Sequence, residues 1–250
     1  MPVIQTNHTS QPARRIAMIP ARYAATRFPA KLMQMLGDKT VIRHTYDNTV
    51  ATGLFDEVCV VTDSDLIFDE IHSHGGRAIM SIRSHESGSD RIAEAALDLE
   101  VDIIVNVQGD EPFVKKDPLE KLLAQFDDPF VQVASLMQVL KEEKDIVNPN
   151  FVKVAVDLEM NALFFSRAPI PFARNKETPV TYYEHIGVYG FRKKALVEFT
   201  GWPAGVLESA EKIECLRYLE HGISLRMVVV DYMGVEIDTP EDLVRAGGLL

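Results

Sequence analysis

Hydrophobic positions fall in short blocks along this chain, separated by longer mixed stretches. IAMI (16–19), EVCVVT (57–62), RAIMSI (77–82) and DIIVNV (102–107) are apolar runs bounded by Gly, Asp or Pro. Between them the chain reads as helix, from about Thr40 to Thr52, Asp65 to His74, Ser89 to Leu99 and onward from Asp117. Buried runs of this length separated by helices predict a parallel sheet covered on both faces. Ligands of such sheets bind beyond the carboxyl ends of the strands. The loops at 20–31, 62–65, 83–90 and 108–112 are therefore expected on one rim.

The second half changes pattern. VQVASLMQVL (131–140), FVKVAVD (151–157), ALFFS (162–166) and HIGVYGF (185–191) read as strands, with a Pro- and charge-rich loop at 167–179. A helix from about Leu207 to Glu220, a strand SLRMVVVD (224–231) and a terminal helix complete the chain. Asp238-Thr239-Pro240-Glu241 suits a helix start, with a capping side chain, Pro in the first turn and acids at the positive end of the dipole. No repeat or linker interrupts this order. The expected organisation is a flexible leader over 1–15 and a single α/β domain over 16–250. Its central sheet is mainly parallel and flanked by helices, with a smaller mixed β insertion at about 130–191 packed on the core.

Composition narrows the classes. With 250 residues, 46% hydrophobic and 25% charged, the chain can bury a sizeable core. No apolar stretch approaches the roughly 20 residues needed to cross a bilayer. MPVIQTNHTSQPARR is polar and lacks the apolar centre of a signal peptide. Cys59 and Cys215 form no metal or redox spacing, which points to free thiols in a reducing cytoplasm. A net charge of −11 argues against nucleic acid or anionic lipid as partners.

Against that acidic background, three cations gather after the first strand. Arg22, Arg27 and Lys31 lie within IAMIPARYAATRFPAKL. Arg offers forked donors to phosphate oxygens and Lys a compact charge, so this loop suits a polyphosphate. The bland alternative is a set of solvated loop cations. No GxxxxGK run and no GxGxxG after a strand supports another phosphate motif. A second constellation is VNVQGDEP (105–112), where Asp110 follows a buried strand, and a third is Asp238 near the end of the chain. Two rim carboxylates could share Mg²⁺, which takes one or two carboxylates with phosphate oxygens and water. Either acid could equally be a turn or capping residue.

These segments, read together, resemble one family. PARYAATRFPAK, HESGSDR (85–91), VNVQGDEP, NPNFVKVAVD (148–157), ALFFSRAPIPFAR (162–174), HIGVYGF and EIDTPEDL (236–243) are similar, in the same order, to signatures of the 3-deoxy-manno-octulosonate (Kdo) cytidylyltransferases. The resemblance covers about residues 16 to 246 and implies a fold of the nucleotide-diphospho-sugar transferase type. It implies transfer of CMP from CTP to the anomeric hydroxyl of Kdo, serving lipopolysaccharide synthesis in the cytoplasm, by a homodimer. By the same resemblance Arg22, Arg27 and Lys31 hold the triphosphate, Asp110 and Asp238 hold Mg²⁺, and Arg83, Ser87, Gly88 and Gln108 select cytosine and ribose. Lys31, Arg22, Asp110 and Asp238 form the catalytic set, and Arg167, His185, Glu211 and Glu214 line the sugar-acid pocket.

The chain departs from the family pattern at three places. Ala25 and Ala30 stand where the loop usually has Ser and Gly, and Cys215 stands where a Gln would contact the sugar. The last departure keeps another acidic sugar, amino-substituted or sialic-type, as the alternative substrate. A glycosyltransferase would need an Asp-x-Asp motif, which Asp63-Ser64-Asp65 matches by letter alone, and a non-catalytic regulator would have lost Lys31 or the acids. Among the remaining residues, His185 alone would read as a strand histidine, and Glu211 and Glu214 as an i, i+3 pair on one helix. His72 and His74 read as a surface helix end, Cys59 as core, Trp202 as packing and Asp63 as a helix cap.

Overall fold

A computed structural model of the chain describes residues 13–24, 28–85, 87–231 and 235–250. Most of the expected leader, residues 1–12, lies outside them. The first strand, β1 (Arg15–Ala21), leads to a 3-10 turn at Lys31–Met33 and a small hairpin, β2 (Met35–Leu36) and β3 (Lys39–Thr40). Then come α1 (Val41–Ala51), β4 (Glu57–Thr62), α2 (Asp65–Ser73), β5 (Ala78–Met80), α3 (Gly88–Ala96), β6 (Ile103–Asn106) and α4 (Lys116–Ala124). The second half continues with β7 (Val133–Leu140), α5 (Glu143–Val147), β8 (Lys153–Val156), β9 (Ala162–Ser166), β10 (Tyr182–Arg192) and α6 (Lys193–Thr200). It closes with α7 (Val206–Glu211), α8 (Leu216–Glu220), β11 (Leu225–Val229) and α9 (Pro240–Gly247).

The strands order as β11-β7-β10-β6-β1-β4-β5. β1 pairs in parallel with β4 and β6, β4 with β5, and β11 with β7, while β10 runs antiparallel between β6 and β7. The mixed β part joins this same sheet rather than forming a separate layer upon it: β8 pairs with β10, and β9 pairs with β8. Because β10 is reversed, its beginning lies at the rim where its parallel neighbours end.

Period-two alternation sends each strand's residues to two cores. From β1, Ala17, Ile19 and Ala21 enter one core with Val41 and Ile42 of α1 and Leu119 and Leu122 of α4. Ile16 and Met18 enter the other, with Ile92 and Ala96 of α3 and Leu196 and Phe199 of α6. Cys59 lies fully buried in the second core. Helix α6 was not foreseen in the sequence, because KKALVEFT directly follows a strand without a breaker. The helix expected over Leu207 to Glu220 is broken. Lys212 takes φ 55°, in the left-handed region, so α7 and α8 are separate elements.

Ala30 also holds a left-handed conformation, φ 51°, immediately before Lys31. A side chain with Cβ is strained there, whereas Gly is not. Replacing Ala30 by Gly should therefore stabilise the fold by on the order of 0.5–1 kcal/mol, after allowing for the more flexible unfolded chain. The urea midpoint should rise, and a fall would contradict the strain.

Candidate active site

The rim holds the expected loops together. Pro20, Arg22, Lys31, His85, Ser87, Gly88, Arg91, Gln108, Gly109 and Asp110 line one cleft. Helix α1 fixes the loop after β6. Thr45 donates to the Gly109 carbonyl at 2.8 Å and Asn48 to the Pro112 carbonyl at 2.6 Å. Gly109 is tightly packed, since a Cβ would lie 3.1 Å from the Pro20 carbonyl oxygen.

At the floor, Lys31 Nζ donates to Asp110 Oδ2 and, at 2.7 Å, to Asp238 Oδ1. Burial disfavours the Lys31 ammonium, but Asp110 and then Asp238 outweigh it and hold its pKa above the usual range. The two acids, far apart in sequence, meet because the Ile237 amide donates to the Asp110 carbonyl at 3.0 Å. The Thr239 hydroxyl caps α9, with Asp242 closing a capping box, and so anchors the residues just before it.

Sequence reasoning missed a third acid. Oxygens of Asp110, Glu236 and Asp238 lie within 4.8 Å of one another. The available signal was the i, i+2 spacing of Glu236 and Asp238 around the fully buried Ile237, which turns both acids to one side. The Glu236 side chain is exposed beside a neighbouring pocket, yet partial burial of its carboxyl, then Asp110 and Asp238, push its pKa to about 8. Burial, followed by Asp110 and Glu184, pushes Glu111 to about 7. Three hard oxygen donors at this spacing fit a divalent cation such as Mg²⁺.

The nucleotide set divides. Arg22 is exposed at the cleft mouth, and Arg27 lies outside the described residues. Ser87 caps α3 by accepting from the Asp90 amide at 3.1 Å, and Gly88 packs so closely that a Cβ would lie 3.0 Å from Pro20. Gln108 donates to the Gly187 carbonyl at 3.2 Å, bridging to a second pocket. Arg83 instead faces Glu94, at 3.0 Å, beside a neighbouring hollow. The buried cation on the cleft is Arg91, which sequence reasoning passed over. It donates to Asp63 at 2.8 Å and to Ser81 at 3.0 Å, so Asp63 is an ion-pair partner while Ser64 takes the cap position of α2.

The sugar set divides as well. His185 lines a second pocket with Glu111, Gln138, Glu184, Gly187, Glu236 and Arg245, sharing Glu236 with the acid cluster. Arg167 and Glu211 hold each other: the Arg167 amide donates to Glu211 at 3.0 Å and its Nε to the Glu211 carbonyl at 2.7 Å. Glu214 does not share a helix face with Glu211, because the turn at Lys212 separates them. Its half-buried side chain is hydrogen-bonded to Ser89 and Ser87, and burial raises its pKa. Cys215 is buried, bonded to Tyr189, with its thiol pushed up by burial. Of the remaining residues, His72 stacks on Phe68 and Trp202 stacks on His221, as packing groups.

A family profile described as cytidylyltransferase matches residues 16–227. A 3-deoxy-manno-octulosonate cytidylyltransferase of Flavobacterium johnsoniae is 59% identical over 94% of this chain and 98% of its own. Another, of Christiangramia forsetii, is 55% identical over 95% and 97%. A solved structure of CMP:2-keto-3-deoxy-manno-octonic acid synthetase complexed with CTP superposes with a TM-score of 0.91 at 36% identity, covering 95% of this chain and 98% of that one. The 4-diphosphocytidyl-2C-methyl-D-erythritol synthase of Anaerococcus prevotii, at 17% identity and a TM-score of 0.64, shares the fold.

Burial pushes the His185 pKa down to about 4. An unfolded chain takes up that proton near 6.5. The contribution of this residue is therefore intact above about pH 6.5 and is lost as pH falls towards 4. In His185→Gln, the drop in urea midpoint between pH 7 and pH 5 should be smaller than in the parent protein. An equal drop would show that His185 is not a source of acid sensitivity.

Proposed function

The chain belongs to the 3-deoxy-manno-octulosonate cytidylyltransferase family, and from that membership we propose that it transfers CMP from CTP to the anomeric hydroxyl of Kdo. Pyrophosphate is released, and Kdo is activated for lipopolysaccharide synthesis. The observation that carries this reading is Lys31 held between Asp110 and Asp238 at the floor of a cleft lined by Arg22, Ser87, Gly88 and Gln108.

In the reaction the sugar hydroxyl loses its proton and attacks the α-phosphorus, and the bond to the β-phosphate oxygen breaks. Such a transfer needs in-line placement and charge neutralisation more than a covalent group. Arg22 meets phosphate at the cleft mouth, while Lys31 sits where negative charge grows on the α-phosphate and leaving group. Ser87, Gly88 and Gln108 form the wall for ribose and cytosine. His185, with Gln138 and Glu184 beside it, faces the sugar acid. Mg²⁺ bound by Asp110 and Asp238, with Glu236 beside them, would neutralise charge on the phosphate oxygens.

In the same reading the protein works in the cytoplasm as a homodimer. Two free, buried cysteines suit a reducing compartment, and no described helix is long and apolar enough to cross a membrane. Leu158, Leu163 and Phe172, exposed on and around the mixed β strands, suit burial against a second copy. One observation favours a second substrate. Glu111, Glu184 and Glu236 in the sugar-side pocket suit a sugar acid that also carries an amino group.

Pyrophosphate release with CTP, with and without Mg²⁺, across Kdo, amino-substituted and sialic-type acids tests both readings. Mg²⁺-dependent release with Kdo is the expected result. Release with the amino sugar alone would select the second substrate, and release with neither would contradict both. Asp110→Asn and Asp238→Asn should each lower turnover at least about a hundredfold. Near-parental turnover at limiting Mg²⁺ would remove that acid from the metal site. Lys31→Ala should lose on the order of a hundredfold in kcat while CTP affinity by calorimetry falls less. The reverse pattern would make Lys31 a phosphate anchor only.

A further inference from the structure

Ser135 lies fully buried on β7, opposite the irregular stretch of β10 between Ile186 and Tyr189. Three groups surround its hydroxyl: the Val188 carbonyl oxygen at 2.9 Å, the Ile186 carbonyl oxygen at 3.1 Å and His185 Nε2 at 3.0 Å. A serine hydroxyl has one proton to donate and lone pairs to accept with. Both carbonyls can only accept. If Ser135 gave its proton to the imidazole, its oxygen would face two carbonyl oxygens at these distances with no hydrogen between them. The proton therefore goes to a carbonyl, and the hydroxyl meets the ring only as an acceptor. Nε2 must then carry the hydrogen of the ring.

A neutral imidazole has one N–H and one lone-pair nitrogen. The ring is neutral at physiological pH, since burial pushes it down to about 4. Nδ1 is thus left as an acceptor. Phe165, edge-on with its centroid at 5.0 Å, and Tyr189, at 5.3 Å, brace the ring where it lines the pocket beside Gln138 and Glu184.

We infer that Ser135 is a positioning residue that fixes His185 in the Nε2–H form, so that His185 offers Nδ1 to a hydroxyl group of the sugar and not to its carboxylate. A carboxylate, having no proton, would need an N–H from the ring. The inference rests on the reading of this pocket as the sugar-acid site and adds which functional group is read there.

Nitrogen-15 NMR of the histidine rings in the ligand-free enzyme tests the first half, with the His185 signals identified by their loss in His185→Gln. A protonated Nε2 with an unprotonated Nδ1 at pH 7.5 is expected. A proton on Nδ1, or on both nitrogens, would overturn the role of Ser135 whatever the sugar does. Ser135→Ala should shift the ring away from the Nε2–H form and raise KM for Kdo about tenfold, the scale of one lost buried hydrogen bond. CTP affinity should stay within about twofold, and Ser135→Thr, which keeps the hydroxyl, should restore the parental tautomer and KM. An alanine variant with parental tautomer and KM would overturn the inference. Should that variant not fold, the parental spectrum and the threonine variant still decide it. Kdo and its methyl ester should both perturb Nδ1, and perturbation by the free acid alone would show a carboxylate contact instead. A ring indifferent to saturating Kdo that is nonetheless turned over would instead remove the pocket from the sugar site.

Discussion

An ammonium group held between two carboxylates is the contact around which this site is organised. Lys31 comes from the loop after β1, Asp110 from the loop after β6 and Asp238 from the segment before α9. Two unit charges about 4 Å apart interact by roughly 4 kcal/mol at an effective dielectric of 20. Asp110, Glu236 and Asp238, within 4.8 Å of one another, therefore repel one another, and a cation among them relieves that repulsion. Lys31 supplies one positive charge, and Glu236 is pushed to about 8 first by partial burial of its carboxyl and then by the nearby Asp110 and Asp238. The proposed Mg²⁺ would bring further positive charge to these acids.

The sheet explains why these groups meet. Parallel β1, β4 and β6 deliver their following loops to one rim, and reversed β10 brings its first residues, including Glu184 and His185, to the same place. The cleft and the second pocket are bridged by the Gln108 to Gly187 contact, and Glu236 of the second pocket lies beside Asp110 of the cleft. Helix α1 contributes no group to the cleft chemistry, yet its Thr45 and Asn48 hold the loop that carries Asp110.

Much of this was legible in the chain. EVCVVT and ALFFS were found to the residue, the first because a buried strand is a continuous apolar run with polar ends, the second because its apolar run ends where the Pro-rich loop begins. The meeting of Asp110 and Asp238 could be suspected but not placed, since it depends on one long-range backbone hydrogen bond. Glu211 and Glu214 looked like one face of a helix. The left-handed Lys212 that separates them carries no Gly or Asn to announce it. Arg83 read as a cleft residue, yet it turns to Glu94, while the buried Arg91 a turn into α3 reaches the cleft. Periodicity locates an element, but the direction of a long charged side chain follows from partners distant in sequence.

Divalent-cation affinity of the nucleotide-free protein tests the central claim most directly, with calorimetric titration of Mn²⁺ into the parental enzyme and into Lys31→Met. If Lys31 and the metal share the oxygens of Asp110 and Asp238, removing the ammonium uncovers the acids, and Mn²⁺ should bind about tenfold more tightly. Unchanged or weaker Mn²⁺ binding in Lys31→Met would contradict the account.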